Sequence, residues 1–256
     1  MKNIFFLFKK EFKSYFVSPI AYVVISIFLV ICGYFFYRDL VYFSILSLQA
    51  GYDSSLQSSV NINELILRPL FSNMGFVLIF LVPLLTMRVF SEEKKLGTLE
   101  LLLSYPVSDI GVIAGKFTAS LGVLLIALGI TSVFPIILFI LGEPETGPII
   151  SGYLGLILMG ISFLCVGIFF SALTENQIIA ATATFGTLLL FWAIGWSSIF
   201  VPGTLGKILS EISIFNHFNN FAKGIIVTSD LSFYIISSLI FLYLTNIILQ
   251  QRAWKS

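Results

Sequence analysis

The chain has 256 residues, of which 58% are hydrophobic and 11% charged, with a formal net charge of +1 and a mean hydropathy of +1.02. An ordinary soluble domain carries about 25% charged residues, so that class is excluded, and the length suits one membrane domain with no soluble domain beside it. The small net charge says nothing about a nucleic-acid partner, and none is expected; the distribution of charge along the chain is the informative quantity.

The N-terminal arm is amphipathic. On a helical wheel Phe5, Phe8, Phe12, Tyr15 and Phe16 share one broad face, with Lys2, Lys9, Lys10 and Lys13 opposite. Phe6 and Glu11 break the pattern. Such a helix lies along a membrane interface with its lysines toward lipid phosphates. It serves either as an anchor and topology signal or in a mechanical role. No cleavable signal peptide is visible, because lysines interrupt the apolar run and Arg38-Asp39 follows the first long stretch.

Six apolar stretches follow: 19–37, 70–87, 117–141, 149–173, 178–201 and 233–249. Each approaches or exceeds the roughly 20 residues that cross a bilayer's hydrocarbon core. A backbone in lipid must satisfy its own hydrogen bonds, so all six are expected as transmembrane helices. None holds a charged residue in its middle. Ionisable groups inside a membrane usually mark proton relays or ion paths, so the driving force is expected to enter from elsewhere.

Six spans put both ends on one side. The arm, the loop after the second span and the tail carry Lys2, Lys9, Lys10, Lys13, Arg88, Lys94, Lys95, Lys116, Arg252 and Lys255; the other loops carry only Arg38, Arg68, Lys207 and Lys223. This bias places both termini in the cytoplasm. The outer side then has a moderate loop, 38–69, a tight turn with Glu143 and Glu145, and the segment 202–232. In that last segment Phe215, Phe218, Phe221 and Ile225 recur at near-helical spacing, and Asn216, His217, Asn219 and Asn220 take other faces, which suits a short helix at the outer surface.

Cys32 and Cys165 fall toward opposite leaflets and are expected to remain unpaired. Thr174, Glu175, Asn176 and Gln177 alone join spans four and five, which must therefore form an antiparallel hairpin. Small-residue pairs Gly167/Ser171 and Thr182/Gly186 offer close helix approach. The lone His217 has no Cys or His neighbour, and Asp230 is distant in sequence, so an interfacial histidine is expected rather than a metal ligand. No catalytic set can be assembled on one membrane face. Gly111–Thr118 looks like a phosphate loop but fails on spacing, with Phe117 where Ser or Thr should follow the lysine. Lys116 is expected at the lipid interface.

The most specific segment is 91–108. A charge run, Glu92, Glu93, Lys94 and Lys95, leads to Gly97 and Thr98; a short apolar helix with Leu99, Glu100, Leu102 and Leu103 is expected from Thr98, its N-cap, to before Pro106. Ser108-Asp109 can cap the next helix. The segment reads either as a docking element for a groove or as a solvated loop held by interfacial leucines.

These residues carry a resemblance. The run Lys10-Glu11-Phe12-Lys13 through Pro19 resembles the N-terminal connecting helix of ABC-2 type permeases, and Glu92 through Leu102, with Tyr105-Pro106-Val107-Ser108 and Gly115-Lys116, resembles their cytoplasmic coupling region. Phe215-Asn216-His217-Phe218, Phe221–Gly224 and Gln251-Arg252-Ala253-Trp254 resemble the gliding-motility permeases and the related permease of the copper-site maturation system of nitrous oxide reductase. The resemblance covers nearly the whole chain. It implies an all-α, polytopic integral membrane protein in one domain, 1–256. Within it lie an interfacial connecting helix (1–17), a six-helix membrane domain (19–250) and a coupling region (91–108).

It further implies a bacterial inner-membrane permease subunit that is not itself an enzyme and forms a homodimer or heterodimer with a second permease chain. ATP and magnesium would be bound by cytoplasmic ATPase partners, which Glu92, Glu93, Lys94, Lys95, Gly97, Thr98, Leu99, Glu100, Leu102 and Leu103 would contact, with Thr174–Gln177 as second inner loop. The function implied is export or extraction of a substrate driven by those ATPases. The alternatives are a subunit passing ATPase-driven motion to a periplasmic machine without solute transport, and a secondary transporter. The clean spans and missing internal repeat count against the last.

Overall fold

The computed structural model describes residues 2–52, 61–98, 108–201 and 203–253. It is 87% helical, with no strand among the described residues. In chain order the helices are α1 (Lys2–Val17), α2 (Ile20–Ala50), α3 (Arg68–Thr86), α4 (Ser91–Lys95), α5 (Asp109–Thr131), α6 (Val133–Leu141), α7 (Thr146–Leu173), α8 (Gln177–Phe200), α9 (Thr204–Ile212), α10 (Ile214–Ala222) and α11 (Thr228–Ala253). A π-helical turn, Asn63–Leu67, runs directly into α3. Six of these units are long and apolar enough to span a membrane, α5 and α6 together forming the third. The chain is therefore a polytopic all-α membrane protein.

The spans α3 and α7 are the most enclosed; α8 and α11 are the most exposed. The centre falls to α7 because its surface is notched. A side chain at Gly152 would strike Phe71 of α3, at Gly155 Phe221 of α10, at Gly160 Leu124 of α5, and at Gly167 Thr86 of α3. Lipid tails are as apolar as leucine, so helices in a bilayer gain from close fit rather than from leaving water, and small residues supply that fit. Of the two pairs expected to do this, Gly167/Ser171 makes a close approach, whereas Gly186 faces open space and Thr182 is exposed.

Three boundaries depart from expectation. First, α2 does not stop at Tyr37 but continues to Ala50. Arg38 Nε and Nη2 donate to Asp39 Oδ1 at 2.9 and 2.6 Å, and the guanidinium lies 5.0 Å from the centre of the Phe35 ring. This self-neutralising pair lets the helix pass through it, and no glycine or proline follows until Gly51. Second, Ser132 separates α5 from α6. Pro135 has no N–H and its ring crowds the carbonyl of Thr131, which breaks the ladder there. Third, the segment expected as outer loop with one helix contains two, α9 and α10, and α11 starts at Thr228. Phe218 and Phe221 are buried as an apolar face, but Ile225 lies beyond α10 and is exposed.

Candidate functional site

At the end of the bundle where both termini lie, α3 ends and the chain turns through Met87–Phe90 into α4. The turn is held by α7. Ser171 Oγ accepts from Phe90 N at 3.0 Å and Ser91 N at 3.2 Å, and donates to Met87 O at 3.3 Å. Lys94, buried, donates its ammonium to the carbonyl of Ala172 at the C-terminus of α7. A cation there meets orphan carbonyls and the negative end of the helix dipole.

Gly97 then terminates α4. Its φ is +67°, Gly97 N donates to Lys94 O at 3.1 Å and Thr98 N to Glu93 O at 3.0 Å. That is a Schellman cap, with glycine at the one position whose left-handed backbone excludes most residues. Gly97 therefore closes a helix made by the charge run. The expectation that it opens a helix at Thr98 concerns 99–107, which lie outside the described residues, as do Leu99, Glu100, Leu102 and Leu103. Ser108 caps α5 as its sequence suggests, accepting from Gly111 N at 3.2 Å.

The charges divide by direction. Lys95, Leu96, Gly97 and Thr98 are exposed, Leu96 to 68%. Glu93 turns inward. Its Oε1 lies 3.0 Å from Lys116 Nζ, and Glu11 Oε1 approaches the same ammonium at 3.3 Å. Lys116 is only 2% exposed and sits 5.3 Å from the centre of the Phe90 ring. The lysine expected at the lipid interface is instead the hub of a buried triad, which draws it in because two carboxylates converge there. Glu11, which broke the amphipathic pattern of the arm, is one of them.

The arm itself docks on α5, where Gly115 admits Leu7 and Gly122 admits Phe12. Tyr15 OH donates to Leu85 O at 2.9 Å and meets Ser120 Oγ at 2.9 Å. Burial pushes this phenol's pKa up, so it remains a neutral donor. Phe5 and Phe6 are exposed. One end of the bundle is thus clamped as a unit: α1, the end of α3, α4, the start of α5 and the end of α7.

The loop between α7 and α8, expected as second inner loop, is built as a tight hairpin. Asn176 Oδ1 accepts from Ile178 N at 2.9 Å and Ile179 N at 3.4 Å, capping α8, and Asn176 N donates to Thr174 Oγ1 at 3.1 Å. Glu175 is exposed, as are the flanking Leu173 and Ile178. Since Lys94 reaches Ala172, both loops share one face.

At the opposite end the structure joins two residues that sequence left apart. His217 Nδ1 lies 2.6 Å from Asp230 Oδ1, and its Nε2 lies 2.9 Å from Glu211 O. Asn220 Nδ2 donates to Asp230 Oδ2 at 2.8 Å, and the imidazole stacks on Phe233 with centroids 4.1 Å apart. His217 is buried, not facing solvent. Both its ring nitrogens thus face oxygens, Nδ1 the Asp230 carboxyl and Nε2 the Glu211 carbonyl. The available signal was the His217/Asn220 spacing, which sets both on one face of α10. Among the described residues no three His, Cys, Asp or Glu side chains gather as a metal site requires. Cys32 and Cys165 are free and buried.

Compared with known protein families, the sequence matches the ABC-2 family transporter protein over residues 5–249. No curated protein matches it. With six spans, an N-terminal helical arm docked on the bundle and a match over nearly its whole length, the chain belongs to the ABC-2 transporter family, as a membrane permease subunit that works with a cytoplasmic ABC ATPase rather than as the ATPase itself.

Proposed function

We propose that this permease couples ATP hydrolysis on separate ATPase subunits, which bind ATP and magnesium, to export or extraction of a substrate. The end bearing α4 receives the ATPase. The observation that carries the reading is the Lys94–Ala172 and Glu93–Lys116–Glu11 fastening of α4. A force on the exposed tip at Lys95–Thr98 is passed by those bonds into α7, α5 and α1 together. Glu93 and Lys94 then transmit through the fold, and Lys95, Leu96, Thr98, the segment with Leu99, Glu100, Leu102 and Leu103, and Glu175 touch the partner. This orientation puts both termini in the cytoplasm of a bacterial inner membrane, in agreement with the Lys and Arg distribution. A second permease chain, the same or different, completes the transporter. The tail motifs Phe215–Phe218 and Gln251–Trp254 support a place in gliding motility.

A second reading, transmission of motion to a periplasmic machine of motility or copper-site maturation, draws support from the apolar lining of the cleft between α2 and α3 at membrane depth, which offers a polar solute no path.

The test uses Lys95→Glu with Leu96→Asp, two exposed positions whose change leaves the triad intact. Rim charges count for little alone, so the apolar Leu96 is changed as well. Membrane abundance is expected to be normal, with co-purification of the ATPase reduced about tenfold, the size of a modest interface contact. Unchanged assembly and unchanged stimulation of ATP turnover would remove α4 from the interface. The chain without its partner is expected to take up no ATP.

A further inference from the structure

Where α1, the first turn of α2 and the end of α3 meet, a cavity of about 250 Å³ opens. Its walls carry one guanidinium, Arg88, and two carboxylates, Glu11 and Glu92. Glu11 is committed to Lys116. Arg88 Nε is buried without a hydrogen-bond partner among the described residues. Glu92 has no ion-pair partner there either, although Arg88 stands four residues before it, a spacing that closes such pairs on a continuous helix. The helix is not continuous: α3 ends at Thr86 and α4 begins at Ser91, so both charges line the cavity without pairing to one another. A buried polar atom left without a partner calls for one.

The cavity lies where one span begins and another ends, which is the level of lipid headgroups. A second, apolar cavity of about 250 Å³ lies beside it between α2 and α3, reaching Phe35 and Phe76, with Leu84 in the lining of both. From Ile20 in the polar chamber to Phe35 the groove follows α2 for about 22 Å, longer than one leaflet's roughly 15 Å of hydrocarbon.

We propose that this two-part site holds one phospholipid with a primary-ammonium, zwitterionic headgroup of the phosphatidylethanolamine class. Arg88 takes the phosphate, Glu92 the ammonium, and an acyl chain lies in the α2–α3 groove. The guanidinium fork suits phosphate oxygens. Arg88 and Glu92, a cation and an anion that line this cavity without pairing, match a headgroup of zero net charge, and the carboxylates oppose a lipid of net negative charge. A choline headgroup has no N–H to donate to Glu92. The apolar groove selects a lipid over free phosphate.

The test is native mass spectrometry of the purified full-length chain in detergent. Phosphatidylethanolamine, phosphatidylcholine and phosphatidylglycerol with identical acyl chains are added in turn. One phosphatidylethanolamine is expected to bind, about tenfold more tightly than phosphatidylcholine, the size of one charge-assisted hydrogen bond. Arg88→Gln and Glu92→Gln are each expected to weaken it by about the same factor, whereas Lys207→Gln, exposed on α9, leaves it unchanged. Glu92→Gln should also raise binding of phosphatidylglycerol, a gain that misfolding cannot produce. Glycerophosphoethanolamine, the same headgroup without chains, should bind about 100-fold more weakly, the equivalent of three or four buried methylenes. Equal binding of the three lipids, preference for phosphatidylglycerol in the wild type, indifference to both Gln variants, or headgroup binding as tight as the lipid's would each overturn the assignment.

Discussion

Lys116 is the residue on which the end bearing α4 turns. Two carboxylates share its ammonium, and Glu93 Oε2 is buried with no hydrogen-bond partner among the described residues. Removing the single cation strands both anions, whereas neutralising one anion leaves a simple pair. Lys116→Met is therefore expected to cost about 3–5 kcal/mol, the usual penalty for breaking a buried ion pair from one side. Glu93→Gln should cost about 1 kcal/mol, since the amide keeps a hydrogen bond to the ammonium. Thermal unfolding of the two variants in one detergent checks the order; equal losses would mean that Lys116 does not serve both carboxylates. Gly97 is a different case. Its left-handed φ admits alanine only with strain of about 1–2 kcal/mol, and that strain is confined to an exposed cap, so Gly97→Ala should fray α4 and leave the bundle's melting temperature nearly unchanged.

Two docked elements depend on local fit. The arm α1 lies in notches at Gly115 and Gly122, where an added Cβ would stand 2.8 Å from Leu7 Cδ2 and 2.9 Å from Phe12 Cε2. Gly122→Leu overfills the second notch and is expected to lift α1, raising alkylation of a cysteine placed at Leu7 in a Cys32- and Cys165-free background. Unaltered labelling would show that the triad alone holds the arm. On the far side α10 is tied to α11 through Asp230, which serves His217 and Asn220 at once. Asp230→Ala removes the partner of the buried His217 and the half-buried Asn220, at about 1–3 kcal/mol in all. The effect should be local, seen as faster amide exchange in α10 with little change in α3 or α7.

Over the whole molecule, six spans put α4 and the α7–α8 hairpin on one side and the α6–α7 turn on the other. Single cysteines at Lys95 and Glu143, both exposed, are expected to react with an impermeant reagent from opposite sides. In intact cells Glu143 should label and Lys95 should not, if the termini are cytoplasmic. The reverse pattern would invert the chain and remove α4 from any cytoplasmic partner. The spans α8 and α11 remain the most exposed of the single chain.

What the sequence by itself determined is what the bilayer demands of any chain: the six apolar runs, the shared side of the two ends, and the short hairpin between spans four and five. Lipid cannot hydrogen-bond a backbone, so length and hydropathy suffice for these, and the local cap at Ser108 is readable because it bonds within three residues. The helical arm was legible for the same reason of periodicity, but not that Glu11 faces inward. Only the tertiary structure decided which charges are exposed. Tyr15 and Ser120 meet across 105 residues, Lys94 and Ala172 across 78, and His217 and Asp230 across a turn between two helices. A lysine at a span's end has the same pattern whether it reaches toward lipid phosphate or into a buried pair of carboxylates. The choice belongs to the partner that packing brings within 4 Å, and in a bundle whose inner and outer faces are equally apolar, no periodicity carries that information.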